Sequence, residues 1–269
     1  MDSQTRLQEI NMFPKFWQAT LLTLLQLITG IIFTVAAYTL LQKFLHIEPL
    51  PHSTVRLLCL VVGWLPPLII CFRKRALFLA DKAVNLSAGI WSLSIFIMLI
   101  WVIFEFQFGA LIHEVSPSST STIRIIQAVL IAPIFEEIFF RGFLLRAFLK
   151  NYNLISALIL SSTLFTLVHV DTSFSLAHLE SLLEKMVFSI IIGWIFYRTN
   201  SISLAIILHG ISNLFISLVY LLMSSSNEIQ NQFADLYFNS FSLAISLASI
   251  ALFAIGLWLL TKNTKAIIV

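Results

Sequence analysis

The feature that most constrains this chain is a series of apolar runs, each long enough to cross a bilayer. From Trp17 to Leu41 there is no charged side chain, and about 20 apolar residues are enough to span the hydrocarbon core. Similar runs recur down the sequence. In lipid, backbone polar groups must be satisfied internally, so such runs are confined to helices. Composition agrees: 59% of the 269 residues are hydrophobic and 11% are charged, against roughly 25% charged in an ordinary soluble domain. Mean hydropathy is +0.95. The predicted fold is all-α, a polytopic membrane bundle of about eight transmembrane helices.

The helices are expected at about Trp17–Leu41, Val55–Phe72, Leu86–Phe106, Ile123–Leu145, Leu154–Val170, Leu182–Tyr197, Ile202–Met223 and Phe241–Leu260. The second contains Pro66-Pro67 and should be kinked or broken there. The loop Asp171–Glu180 has room for a short surface helix. The turn Arg198-Thr199-Asn200-Ser201 is tight, and Asn200 can take the left-handed conformation that ends a helix. The chain divides into an N-terminal part, residues 1–122, with helices one to three; a core, 123–223, with helices four to seven; and 224–269, with an outer loop, helix eight and a tail. The run after the polar first sixteen residues is about 25 long, beyond a signal-peptide core, and reads as a retained anchor.

Basic residues set the orientation. With the N-terminus inside, the inner segments hold Arg6, Lys15, Arg73, Lys74, Arg75, Lys82, Arg146, Lys150, Arg198, Lys262 and Lys265. The outer ends hold Lys43, Arg56, Arg124 and Lys185, a bias of eleven to four. Both termini are therefore expected in the cytoplasm. The formal net charge is only +3, with no basic-aromatic strip for nucleic acid. Cys59 and Cys71 would lie about 18 Å apart on one helix, beyond disulfide reach, and read as apolar packing residues.

Against this background the stretch Ala132–Arg146, APIFEEIFFRGFLLR, stands out. Charges inside a membrane segment are costly and are kept where they face protein or water. Glu137 and Arg141 are four apart, acid first, the favoured order for a helical ion pair. Glu136 lies about 100° around the helix and is left for other work. Pro133 removes one backbone hydrogen bond near these groups. Gly142 would permit close helix approach.

Three further polar side chains sit on apolar helices. His169 ends STLFTLVHV, with Phe165 one turn earlier. His209 and Asn213 lie four apart in ILHGISN and project from one face. Measured from the cytoplasmic side, Glu136 would be about 13 Å deep, His209 about 11 Å and His169 roughly 22 Å. The other histidines, His46, His52, His113 and His178, fall in loops or at helix ends and are expected to be solvated.

A glutamate with a histidine can activate water, and a histidine with an asparagine can donate to an oxyanion. Alternatively, Glu136, His169 and His209 are sufficient ligands for a catalytic zinc. Both routes lead to amide hydrolysis in or near the membrane. Two non-protease readings compete: a membrane scaffold that acts by binding, and a proton-relay transporter, which would want an internal repeat that the sequence lacks.

These motifs, in this order, resemble the CPBP (Abi) family of CAAX-type prenyl proteases and bacteriocin-processing enzymes. The pattern E-E-x-x-x-R, F-x-x-x-H, H-x-x-x-N/D is met by Glu136-Glu137-Arg141, Phe165-His169 and His209-Asn213. The resemblance covers about Ile123 to Phe215. Many relatives have Gly where Asn200 stands. The resemblance implies an intramembrane endopeptidase acting on a membrane-associated peptide or protein, in a bacterial plasma membrane. Glu136 and His169 would activate water, His209 and Asn213 would stabilise the oxyanion, and Glu137, Arg141 and Phe165 would support the site. Such proteins are often labelled metalloproteases, while metal-free, glutamate-dependent catalysis is the competing description. The histidine spacing does not enforce a metal site, which favours the metal-free route.

Overall fold

The computed structural model describes residues 16–39, 61–67, 69, 86–112, 122–170, 176–223 and 240–264. Every regular element among them is helical. We number them α1 (Phe16–Thr39), α2 (residues 61–67), α3 (Ala88–Ile112), α4 (Thr122–Asn151), α5 (Leu154–Leu167), α6 (Leu176–Thr199), α7 (Ile202–Met223) and α8 (Ser240–Asn263). The all-α expectation therefore holds. Stretches long and apolar enough to cross a bilayer lie in α7 (Ile202–Val219) and α8 (Ala244–Asn263), and shorter apolar stretches in α3 and α5. Along α8, Leu247, Ile250, Ile255 and Trp258 are more than half exposed or close to it. A water-soluble surface does not ordinarily carry so long an apolar face.

The chain separates into two compact units. The first takes α1, α2, α4 and α5. Its helices approach closely where side chains are small: a Cβ on Gly63 would lie 3.2 Å from the Gly30 Cα and from the Gln26 carbonyl oxygen. Backbone contact of this kind is the usual way apolar helices gain packing energy without a hydrophobic drive. Beside it, the Trp64 ring packs at a tilt against Phe139 at 5.0 Å and edge-on against Phe140 at 5.8 Å. Phe140 in turn meets the Phe165 ring edge-on at 5.1 Å. The core of this unit is thus an aromatic cluster drawn from α2, α4 and α5.

The second unit takes α3, α6, α7 and α8. Here α8 packs along α3, and a Cβ on Gly256 would fall 2.7 Å from the Ile97 Cγ1. Trp101 of α3 meets Phe253 of α8 at 6.3 Å. α7 lies against α3 and α6. At the end of α6, Arg198 donates from Nε to the Thr264 hydroxyl at 3.0 Å, and from Nη2 to the Thr261 and Thr264 carbonyls. These are carbonyls at the C-terminal end of α8, which lack helical partners and carry the negative end of its dipole.

Several boundaries move from their expected places. α6 starts at Leu176 instead of Leu182, taking in residues 176–180 of the expected loop. Lys185 reaches back one turn to the Ser181 hydroxyl at 2.5 Å, a contact made within the helix. α3 runs six residues beyond Phe106, to Ile112. α4 continues past Leu145 to Asn151, where Tyr152 turns extended, and Asn153 caps α5 by accepting from the Ser156 N–H at 2.9 Å. α7 has the expected bounds. Asn200 has φ 50°, the left-handed geometry expected of it, and the Leu204 N–H donates to the Ser201 hydroxyl at 3.2 Å to start α7. Of the second helix only 61–67 and 69 are described, so the effect of Pro66-Pro67 on its later part, both cysteines, His46, His52 and His113 lie outside the described residues.

Candidate active site

The charged stretch sits on a helix that is not uniformly α. Within α4, π-helical turns occupy Gln127–Ile131 and Ile138–Leu145, on either side of the α-helical Ala132–Glu137. The Ala132 N–H donates five residues back, to the Gln127 carbonyl. Pro133, which has no N–H, follows at once, in the first turn of the α segment. The expected irregularity at Pro133 therefore takes the form of a π turn just before it. π turns inside α-helices are rare and concentrate at functional sites. Periodicity gave no sign of them.

Glu136, Glu137 and Arg141 are all buried, and Gly142 beside them is buried as well. Arg141 Nη1 lies 3.1 Å from Glu137 Oε1, the expected i,i+4 pair, and the pair survives although it crosses from α into π geometry. On its other side the Arg141 guanidinium stands over the Phe165 ring, 4.9 Å from the centroid. A desolvated cation over an aromatic face is held by about 2 kcal/mol. Phe165 thus supports the first motif directly, from α5. Ser161, one turn earlier on α5, donates its hydroxyl to the Phe140 carbonyl at 3.4 Å, tying α5 to the π segment. Glu136 is 6% exposed, a carboxylate kept almost wholly out of solvent.

His169 requires a correction. α5 ends at Leu167 with Val168 as its C-cap, so His169 lies in the turn beyond the helix and is half-buried. The run of β-branched and polar residues Val168-His169-Val170-Asp171-Thr172 has little helix propensity once the apolar core residues end. The Phe165-His169 spacing therefore joins a helical residue to a turn residue, not two residues of one helical face.

In the second unit His209 is buried and Asn213, one turn later on α7, is half-buried. The Phe188 ring of α6 lies 4.9 Å from the His209 ring, tilted by 66°. Phe188 sits in the featureless apolar run VFSIII, and nothing in the sequence singled it out. Glu137, Arg141 and Phe165 are thus brought together in the first unit, with Glu136 beside them in the chain. His209, Asn213 and Phe188 are assembled in the second, to which His169 also belongs.

Among the described residues no three His, Cys, Asp or Glu side chains gather as a metal site requires. The zinc set of Glu136, His169 and His209 draws on residues of both units.

Residues 118–215 match the family described as Type II CAAX prenyl endopeptidase Rce1-like. That interval contains all three motifs and coincides with the resemblance read from them, which it bears out. The UPF0177 protein YbdI of Lactococcus lactis subsp. lactis (strain IL1403) is 35% identical over 95 residues, covering 35% of this chain. The match spans only 48% of that relative's length. No solved structure matches the chain.

Proposed function

We propose that this protein is an intramembrane endopeptidase of the CAAX-protease type. The observation that carries the reading is the division of labour on α4. Glu137 is engaged by Arg141, which is itself backed by Phe165, while a second buried carboxylate, Glu136, stands next to that brace. A buried carboxylate costs stability unless something compensates. Two adjacent buried carboxylates on one apolar helix are an expensive arrangement, and a catalytic role for Glu136 accounts for it. The family match over 118–215 supports the same class of activity.

In the proposed reaction Glu136 accepts a proton from water, which His169 orients, as the water oxygen adds to the scissile carbonyl carbon. The carbonyl oxygen becomes an oxyanion, met by N–H donors of His209 and Asn213. Collapse of the intermediate breaks the C–N bond, and the proton held by Glu136 passes to the leaving amine nitrogen. Glu137 and Arg141 hold the helix geometry. The scheme needs only proton transfer and hydrogen bonding.

The substrate is a membrane-associated peptide or protein, and the bilayer is the solvent. The catalytic core is residues 123–223, flanked by 1–122 and 224–269. The chain spans a bacterial plasma membrane about eight times with both termini cytoplasmic, supported by the apolar runs and the eleven-to-four bias of basic residues. Reporter fusions at residues 115, 230 and 269 test the orientation: the first two should report the outer side and the last the cytoplasm.

The decisive assay uses purified protein in liposomes, with quenched-fluorescence peptides that carry a membrane anchor, one farnesylated at a CAAX cysteine and one unmodified. Glu136→Ala and His169→Ala should each lower kcat by roughly 100- to 10,000-fold while the protein still inserts. Unimpaired cleavage by both variants would rule the proposal out. Inhibition by chelators together with stoichiometric zinc would replace the metal-free scheme with a metal-dependent one.

A further inference from the structure

We infer that Phe188 is a positioning residue for His209, setting the plane of the imidazole that would meet the oxyanion. The inference rests on the protease reading for its functional meaning, and on contacts within one unit for its geometry. The two rings are 4.9 Å apart at 66°, within the range of favourable edge-to-face aromatic contact. Both residues are buried.

A histidine needs such a partner. Its χ2 is a broad torsion, so the rotamer alone does not fix where the ring N–H points. An oxyanion donor has to be aimed in advance, because a donor that reorients during the reaction gives up much of its advantage. Asn213 lies on the same helix as His209 and can share its aim only if the imidazole is held still. The Phe188 ring supplies a wall on the α6 side.

The backbone carrying that wall is itself secured. α6 and α7 are joined by the short turn at Asn200-Ser201, with Asn200 in left-handed geometry and Ser201 capping α7. Ile191 and Ile192 are buried on α6, and Leu204, Ala205 and Leu208 on α7. Phe188 lies inside the interval that matches the protease family, 118–215, but outside all three motifs.

The test compares Phe188→Leu, which keeps apolar bulk and removes the ring, with Phe188→Tyr, which keeps the ring. Two readouts are taken on the full-length protein. In the liposome assay with the anchored peptides, Phe188→Leu should lower kcat roughly three- to tenfold with KM unchanged, and Phe188→Tyr should recover most of the loss. In micelles with 15N-histidine labelling, Phe188→Leu should move the His209 ring resonances, and Phe188→Tyr should return them toward wild type. The inference is overturned if Phe188→Leu leaves kcat and the His209 resonances unchanged, if it raises KM alone, or if Phe188→Tyr is as impaired as Phe188→Leu. Unimpaired cleavage by both Glu136→Ala and His169→Ala would remove the proposed protease scheme, while the resonance readout would still decide whether Phe188 fixes the ring.

Discussion

Arg141 is held from two sides, by the Glu137 carboxylate at 3.1 Å and by the Phe165 ring at 4.9 Å. Both contacts are buried, so removing either charge strands the other. Breaking a buried pair by deleting one partner costs roughly 3–5 kcal/mol, whereas replacing both with apolar groups of like size is often close to neutral. Glu137→Leu and Arg141→Met should each lower the unfolding midpoint in detergent sharply, and the double variant should regain most of it. A double variant as unstable as the sum of the singles would show that the two charges are not paired in solution.

Phe165 contributes to the same arrangement through its ring. Phe165→Leu keeps apolar bulk and removes the π face, so it should destabilise the protein by about 1–2 kcal/mol. In an Arg141→Met background the same substitution should cost clearly less. Equal costs in both backgrounds would mean that the ring serves packing alone.

Gly256 admits no side chain as α8 now lies. A Cβ there would sit 2.7 Å from the Ile97 Cγ1, so Gly256→Ala should cost about 1–3 kcal/mol by overpacking. Combined with Ile97→Ala, which vacates the space, the added cost of Gly256→Ala should fall below about 1 kcal/mol. Thermal unfolding of the four proteins decides the matter.

The turn between α6 and α7 gives a fourth prediction. Asn200 has φ 50°, a region that costs an ordinary L-residue about 1–2 kcal/mol and glycine nothing. Asn200→Gly should be neutral or slightly stabilising, and Asn200→Val destabilising by about that amount. Because this turn also starts α7, hydrogen exchange at residues 202–206 should speed up in the valine variant.

What the sequence conveyed and what it did not follow from how local the determinants are. The Glu137–Arg141 pair, the left-handed Asn200 and both ends of α7 depend on residues within one helical turn, and each was legible. α4 was recognisable as a helix from its apolar run. Its π turns were not, because an apolar run reads the same under i→i+4 and i→i+5 bonding. His169 was assigned to α5 because Val168 and Val170 prolong the apolar pattern, and apolarity does not distinguish a last helical turn from an apolar turn beyond it. The early start of α6 was hidden for the opposite reason: polar residues near a helix end read as loop. Phe188 carried no signal at all, since a phenylalanine in an apolar run looks the same whether it faces lipid or an imidazole.

The two π turns of α4 also bear on how this chain can tolerate changes in length. A π turn carries one residue more than the α-helix around it requires. Deleting one residue within Ile138–Leu145 can therefore be absorbed by relaxation to α geometry, leaving Glu136 and Glu137 where they were relative to Pro133. The same deletion within Ala132–Glu137 has no such slack and would rotate the carboxylates by about 100°. The segment that presents the acids is rigid in register, and the segments that flank it hold the spare residues.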